Sequence, residues 1–300
     1  MTRRRLTGMG VALVTPFTET GEVDYVALDN LVQTQLDAGT DFLCVLGTTA
    51  ETPTLDLEEK RNVRKRVIDK VAGRLPILLG VGGNCTQALI NELLTEDFTG
   101  VDAILSVTPF YNKPSQEGLY RHYRALAAAT QLPIYMYNVP GRTGVNMLPD
   151  TVIRLARECP NIAGVKEASG NIAQIKEIVD RAPQGFDVLS GDDGLICDII
   201  KVGGVGAVTV LGNAYPAALT RMTHLAMEGK HDEAKKLDEA FSQVCTLLFA
   251  DGNPAGVKSL LAHQGKMGNN LRLPLAPARK EVDDAMLEAM KTLDAYLAAN

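Results

Sequence analysis

A (β/α)8 TIM barrel with a small C-terminal helical appendage is the fold class this sequence predicts, and three observations carry it. Short β-branched and apolar runs alternate with longer amphipathic stretches, the pattern of a parallel sheet with helical crossovers. Strand-then-helix units between Val11 and Val210 number about eight, which closes a barrel of typically ~250 residues. An open doubly wound sheet would usually announce a GxGxxG turn after its first strand, and none stands there.

The first strand candidate is Val11–Pro16, followed by Phe42–Leu46, Pro76–Gly80 and Ala103–Val107. The second half continues with Pro133–Tyr137, Ile162–Lys166, Phe186–Leu189 and Gly206–Val210. Helix signals fill the intervals, for example from Leu57 onward and from Ser115 to Tyr120. There Ser115 suits the cap of the first turn and Glu117 adds charge favourable to a helix start. From about Ala214 strands cease, and Ala217–Gly229, His231–Ala250, Ala255–Gly265 and Glu281–Ala299 read as helices, with the loop Leu271–Pro277 among them. Residues 1–230 are expected to form the barrel that carries the active site, and 231–300 a C-terminal helical region. No repeat period or long polar linker marks off an independent module.

With 300 residues, 46% of them hydrophobic, and a mean hydropathy near zero, the chain buries a large core without staples. Thirty basic against 36 acidic residues give a net charge of -6, which argues against nucleic acid as a partner. The five cysteines are scattered without a CxxC pair and read as buried thiols of a reducing compartment. No apolar run reaches the ~18 residues that span a bilayer. The basic opening Met1–Arg5 is followed by Thr7, Gly8 and Gly10 and not by an export segment, so a cytoplasmic location is expected.

Chemistry on such a barrel gathers at the C-terminal ends of strands and in the loops after them. Strand 6 ends in Lys166 after an apolar run, where desolvation disfavours the ammonium and favours a free amine able to attack a carbonyl. The alternatives are that Lys166 snorkels outward or pairs with Glu167. After strand 2, Gly47-Thr48-Thr49-Ala50-Glu51 offers hydroxyls and backbone N–H groups to a small carboxylate, or else is an ordinary turn with Thr48 or Thr49 as a cap. The loop Thr108-Pro109-Phe110-Tyr111-Asn112-Lys113-Pro114 carries an aromatic pair suited to a site or to a subunit contact. Strand 5 ends in Tyr137, a residue able to shuttle protons, and Arg142 on the following loop suits a carboxylate clamp. Asp192 and Asp193 after strand 7 lack a histidine or third carboxylate, so helix capping and site polarity are preferred to a metal. Gly203-Gly204-Val205-Gly206 precedes strand 8 and reads as a helix-to-strand turn at the opposite end. Together these residues describe a lyase or aldolase that forms an imine with a 2-oxo acid, binds its carboxylate at Thr48-Thr49 and moves protons with Tyr137.

At these motifs the chain resembles the dihydrodipicolinate synthase branch of the pyruvate-dependent class I aldolases. The resemblance runs from Ala12-Leu13-Val14-Thr15-Pro16-Phe17 through the strand 2, 4 and 5 loops to Gly164-Val165-Lys166-Glu167-Ala168-Ser169-Gly170. It implies that Lys166 forms the Schiff base with pyruvate and that Thr48, Tyr137 and Tyr111 form a proton relay, Tyr111 reaching into the site of a partner subunit. It further implies that Thr49 binds the pyruvate carboxylate with Thr48, that Arg142 binds that of L-aspartate 4-semialdehyde, and that Gly191 and Val208 line the pocket. No metal or other cofactor is implied beyond the covalent imine, and a homotetramer or homodimer is expected.

Ala88 stands where lysine-inhibited relatives carry a glutamate, Phe110 where they carry a tyrosine, and Leu57 and Lys60 where they carry histidines, although Asn84 is kept. Weak or absent lysine inhibition follows. Ala50 stands where many relatives have glycine, and leaves the threonines in place. The alternative functions are a related lyase acting on N-acetylneuraminate or a 2-keto-3-deoxy sugar acid, and a non-catalytic barrel. Arg142 suits a short substrate ending in a carboxylate better than a polyol, and a buried lysine without a task is a burden on stability.

Overall fold

The computed structural model describes residues 5–299, so Met1–Arg4 of the basic opening and Asn300 lie outside the described residues. The chain runs β1 (Gly8–Ala12), α1 (Tyr25–Asp37), β2 (Phe42–Val45), α2 (Leu57–Val71), β3 (Ile77–Gly80), α3 (Thr86–Thr95), β4 (Ala103–Val107) and α4 (Gln116–Ala129). It continues through β5 (Ile134–Asn138), α5 (Pro140–Thr143), α6 (Pro149–Glu158), β6 (Ile162–Glu167), α7 (Ile172–Arg181), β7 (Asp187–Ser190), α8 (Ile196–Lys201) and β8 (Gly206–Thr209). Four further helices follow: α9 (Pro216–Met227), α10 (His231–Ala250), α11 (Ala255–His263) and α12 (Lys280–Ala299). The strands pair in chain order, all parallel, and β8 returns to β1 to close the barrel.

The expected strands are present, most with ends moved by one residue, but the first one is displaced. β1 starts at Gly8, three residues before the expected start, and leaves the ladder after Ala12, four residues before the expected end. Its start is set by closure: Gly8 registers with Gly206, and a Cβ on Gly206 would sit 2.1 Å from the Gly8 carbonyl oxygen. Only glycine permits that approach. Its end is set by a side chain, since Val14 donates its N–H to Asn213 Oδ1 (3.1 Å), while Asn213 Nδ2 donates to the Ala12 carbonyl (2.8 Å).

Local sequence explains the helix starts. Asp24 accepts from Val26 and Ala27 N–H at the head of α1, and Asp56 with Glu59 forms a reciprocal capping box on α2. Ser115 accepts from Gly118 N–H at 3.2 Å, the cap expected for α4. Gly203 and Gly204 donate to the Ile200 and Ile199 carbonyls, closing α8 ahead of β8 as the glycine run suggested.

Two hydrophobic layers hold the barrel. The inner one stacks Leu6, Phe42, Cys44, Leu78, Leu105, Tyr135, Leu189 and Val208 inside the strands, and the outer one lies between strands and helices. At the floor Tyr135 donates to Asp187 Oδ2 (2.7 Å) and Arg5 pairs with the same carboxylate, so the polar plug is satisfied. α9 packs against β1, α10 against α9, and α12 against α10 and α11. This C-terminal stack returns the link before α11 to the mouth of the barrel, where Asn253 meets the turn after β2.

Candidate active site

Lys166 on β6 sits in register with Tyr137 on β5 and Leu189 on β7, near the C-terminal ends of all three strands. It is buried, and its Nζ lies 4.3 Å from the centroid of the Tyr137 ring, so it does not snorkel to solvent. Nor is Glu167 its partner. Strand alternation turns Glu167 to the other face, where its carboxylate accepts from Asn138 Nδ2 (2.7 Å), Ser169 Oγ (2.6 Å) and Gln174 Nε2 (3.3 Å). Burial pushes that carboxyl upward against these hydrogen bonds. Burial pushes the Cys44 thiol up to about 11, against the opposing influence of Lys166, and so keeps it neutral.

Gly191 makes the space that Lys166 occupies. A Cβ there would stand 2.9 Å from both Lys166 Cε and Ala168 Cβ. Val208 is buried in the inner layer of the barrel, in register with Gly10.

Across the mouth, a 3-10 turn spans Thr48–Ala50 with Gly47, and not a threonine, at its cap position. Ala50 and Glu51 donate N–H groups to the Gly47 and Thr48 carbonyls, which leaves the N–H groups of Thr48 and Thr49 at the open end of the turn. Thr49 is buried and its Oγ1 accepts from Asn253 Nδ2 at 2.9 Å. A hydroxyl engaged as an acceptor keeps its proton free to donate to a bound carboxylate.

Tyr137 is 7% exposed, and its carbonyl accepts from Thr108 N–H, fixing the strand end. Arg142 lies exposed on the single-turn helix α5 and reaches the Asn253 carbonyl at 3.5 Å. A cavity of about 460 Å³ joins Gly47, Thr48, Tyr137 and Arg142, and extends outward over Leu57, Lys60, Arg61 and Phe110. Tyr111 stands apart, 89% exposed with φ of +73°, a conformation uncommon for a non-glycine residue.

The acidic pair divides its work. Asp192 accepts from Gly194 N–H and caps the short turn after β7. Asp193 is buried and accepts from Val210 and Leu211 N–H, tying the β7 loop to the β8 loop, and burial raises its carboxyl to about 6. Among the described residues no three or more His, Cys, Asp or Glu side chains group to hold a metal ion.

Asn253 is the residue sequence reasoning missed, because it lies 204 positions from Thr49 and nothing local marks it. Glu51 was visible as part of a motif but without a role. Its carboxylate is wholly buried, 2.5 Å from Lys258 Nζ, and accepts from Arg272 N–H. Lys258 itself interrupts the apolar face Val257-Leu260-Leu261 of α11, the same kind of signal that singled out Lys166.

Known proteins with this sequence pattern and shape are consistent with one another. The sequence model described as the Dihydrodipicolinate synthetase family matches residues 5–293. The chain is 56% identical to a 4-hydroxy-tetrahydrodipicolinate synthase of Phocaeicola vulgatus, over 93% of this chain and 94% of that one. It is 52% identical to the protein of that name from Porphyromonas gingivalis, over 93% and 94%. Among solved structures, the 4-hydroxy-tetrahydrodipicolinate synthase of Methylacidiphilum fumariolicum SolV superposes with a TM-score of 0.95 at 37% identity, covering 98% of each chain. The chloride-inhibited dihydrodipicolinate synthase of Acinetobacter baumannii, solved with pyruvate, superposes with a TM-score of 0.94 at 38% identity, over 97% of this chain and 99% of that one.

Proposed function

Since the chain belongs to the dihydrodipicolinate synthetase family, we infer that the residues gathered at the barrel mouth perform that family's synthase reaction. The protein is an enzyme of the Schiff-base lyase type. It condenses pyruvate with L-aspartate 4-semialdehyde in lysine and diaminopimelate biosynthesis.

In the proposed mechanism Lys166 Nζ attacks C2 of pyruvate, and loss of water gives the imine. The pyruvate carboxylate rests on the N–H groups of the Thr48–Thr49 turn and on the Thr49 hydroxyl. Tyr137 and Thr48 carry protons to and from the carbinolamine, and Tyr111 of a second copy completes the relay. Removal of a C3 proton leaves an enamine, whose C3 attacks the aldehyde carbon of the second substrate. Arg142 holds the carboxylate of that substrate at the mouth. Its amino group then closes on C2, expels Lys166 and regenerates the free amine. Gly191 and Val208 shape the pocket around Lys166, and the covalent imine takes the place of any cofactor.

The observation that carries this reading is the burial of Lys166 against the Tyr137 ring beside a cavity bounded by Thr48 and Arg142. The exposed, left-handed Tyr111 supports assembly as a homodimer or homotetramer, because an aromatic side chain held so is best explained by a partner copy covering it. Residues 1–230 form the proposed barrel unit and 231–300 the helical region that braces its mouth. No helix among the described residues is long and apolar enough to cross a membrane, and a cytoplasmic location is part of the proposal.

The test is a coupled assay with pyruvate, aspartate semialdehyde and a reductase that consumes the product. Turnover with this pair supports the reading. Cleavage of N-acetylneuraminate or a 2-keto-3-deoxy sugar acid, with no condensation of the pair, would overturn it.

A further inference from the structure

Two residues of the turn after β2 touch elements distant in sequence, and both are held by the segment around the start of α11. Thr49 Oγ1 accepts from Asn253 Nδ2, and Glu51 Oε1 lies 2.5 Å from Lys258 Nζ with both side chains fully buried. Glu51 also adopts φ of +53°, a strained conformation for a non-glycine residue that persists only when its surroundings over-determine it. They do so here: its N–H donates to the Thr48 carbonyl, its own carbonyl accepts from Thr54 N–H and Oγ1, and its second carboxylate oxygen accepts from Arg272 N–H.

Lys258 is the centre of this arrangement. Its ammonium contacts Glu51, donates to the Asn270 carbonyl at 2.9 Å and lies 4.1 Å from the centroid of the Phe17 ring. One side chain therefore joins the loop after β1, the turn after β2, α11 and the loop before α12. A buried ion pair is a poor source of stability, since desolvation of both ions offsets most of their attraction and an apolar pair of similar volume serves as well. What an ion pair adds is direction.

We propose that Lys258 is a positioning residue for the reaction, fixing through Glu51 the turn whose Thr48 and Thr49 take the pyruvate carboxylate. This rests on the reading of that turn as the carboxylate site. The electrostatics of the pair agree with it. Burial lowers Lys258 to about 8 in spite of Glu51, and the Arg272 guanidinium pushes in the same direction while itself paired with Glu59. Above pH about 8 the pair loses its cation, and Glu51 is left buried without its ammonium partner. The turn then loosens.

The variants are Lys258→Met, Glu51→Asp, and the double variant Glu51→Gln/Lys258→Met, which removes both charges together and so spares the fold an unpaired ion. Steady-state kinetics are measured on the full chain from pH 6 to 9.5, with borohydride trapping of pyruvate at Lys166 as a parallel readout. The expected result is a pyruvate KM raised about tenfold or more in the double variant and in Glu51→Asp. The KM for the semialdehyde should stay within about twofold, and kcat at saturating pyruvate should fall far less than kcat/KM for pyruvate. The rise of pyruvate KM above pH about 8 should be present in the parent and absent from the double variant. A folded double variant with the parent's pyruvate KM and the parent's pH profile would overturn the proposal. Failure of the parent to trap pyruvate on Lys166 would instead overturn the reading of the site on which the proposal stands.

Discussion

Replacing Gly191 by alanine adds one methyl group to the wall of the lysine pocket, and its consequence can be worked from distances. The new Cβ would stand 2.9 Å from Lys166 Cε, 3.0 Å from Lys166 Cγ and 2.9 Å from Ala168 Cβ. Non-bonded carbons settle at about 3.5–4.0 Å, so each contact is too short by about 0.5–1.1 Å. Ala168 cannot yield freely, because its N–H donates to the Asn138 carbonyl at 2.9 Å. The lysine must therefore move, and the Tyr137 ring 4.3 Å from Nζ limits where it goes. A displacement of about 1 Å at a reacting atom costs on the order of 100-fold in rate, or about 2.7 kcal/mol of barrier. The assay is the single-turnover rate of imine formation with pyruvate, read by borohydride quench, beside kcat in the coupled assay and a thermal melt. We expect a folded protein whose imine formation is slowed about 10- to 100-fold. A folded Gly191→Ala protein forming the imine within about twofold of the parent rate would refute the steric argument.

Arg142→Ala should raise the KM for aspartate semialdehyde about 10- to 100-fold, the worth of a charge-assisted hydrogen bond, and leave pyruvate trapping unchanged. Loss of trapping would contradict a role confined to the second substrate. Lysine should inhibit weakly or not at all, since Leu57, Lys60 and Phe110 line the outer cavity and Ala88 provides no carboxylate for an ammonium. Half-inhibition at sub-millimolar lysine in an activity titration would overturn this. His122 is buried against Thr86 Oγ1 (2.8 Å), and burial lowers it to about 4. Its folded value lies below the unfolded one of ~6.5, so its contribution is fully present above pH ~6.5 and is lost as pH falls through about 4, worth about 3 kcal/mol in all. His122→Gln should flatten the pH dependence of the urea unfolding free energy across that window, and an unchanged slope would contradict it.

The barrel was legible because each of its strands is a short apolar run separated from the next by an amphipathic stretch, and parallel strands buried on both faces carry no other pattern. The end of β1 was not legible, because the apolar run Val11–Val14 continues past the point where Asn213, about 200 residues on, takes over the backbone. That Lys166 and Tyr137 stand side by side at neighbouring strand ends could be read, since strand position implies proximity in a closed barrel. The contacts of Asn253 with Thr49 and of Lys258 with Glu51 could not, because they depend on how the C-terminal helices fold back over the mouth. Lys258 shows the limit most clearly: it shares with Lys166 the signature of a lysine among apolar residues, yet it is paired with a carboxylate, and only the fold distinguishes the two.

That distinction sets the most direct test of the central claim. The protein is incubated with pyruvate, reduced with borohydride, digested and mapped by mass spectrometry. The account predicts one reduced pyruvate adduct, on Lys166, with Lys258 unmodified. An unmodified Lys166, or an adduct on Lys258 in its place, would contradict it.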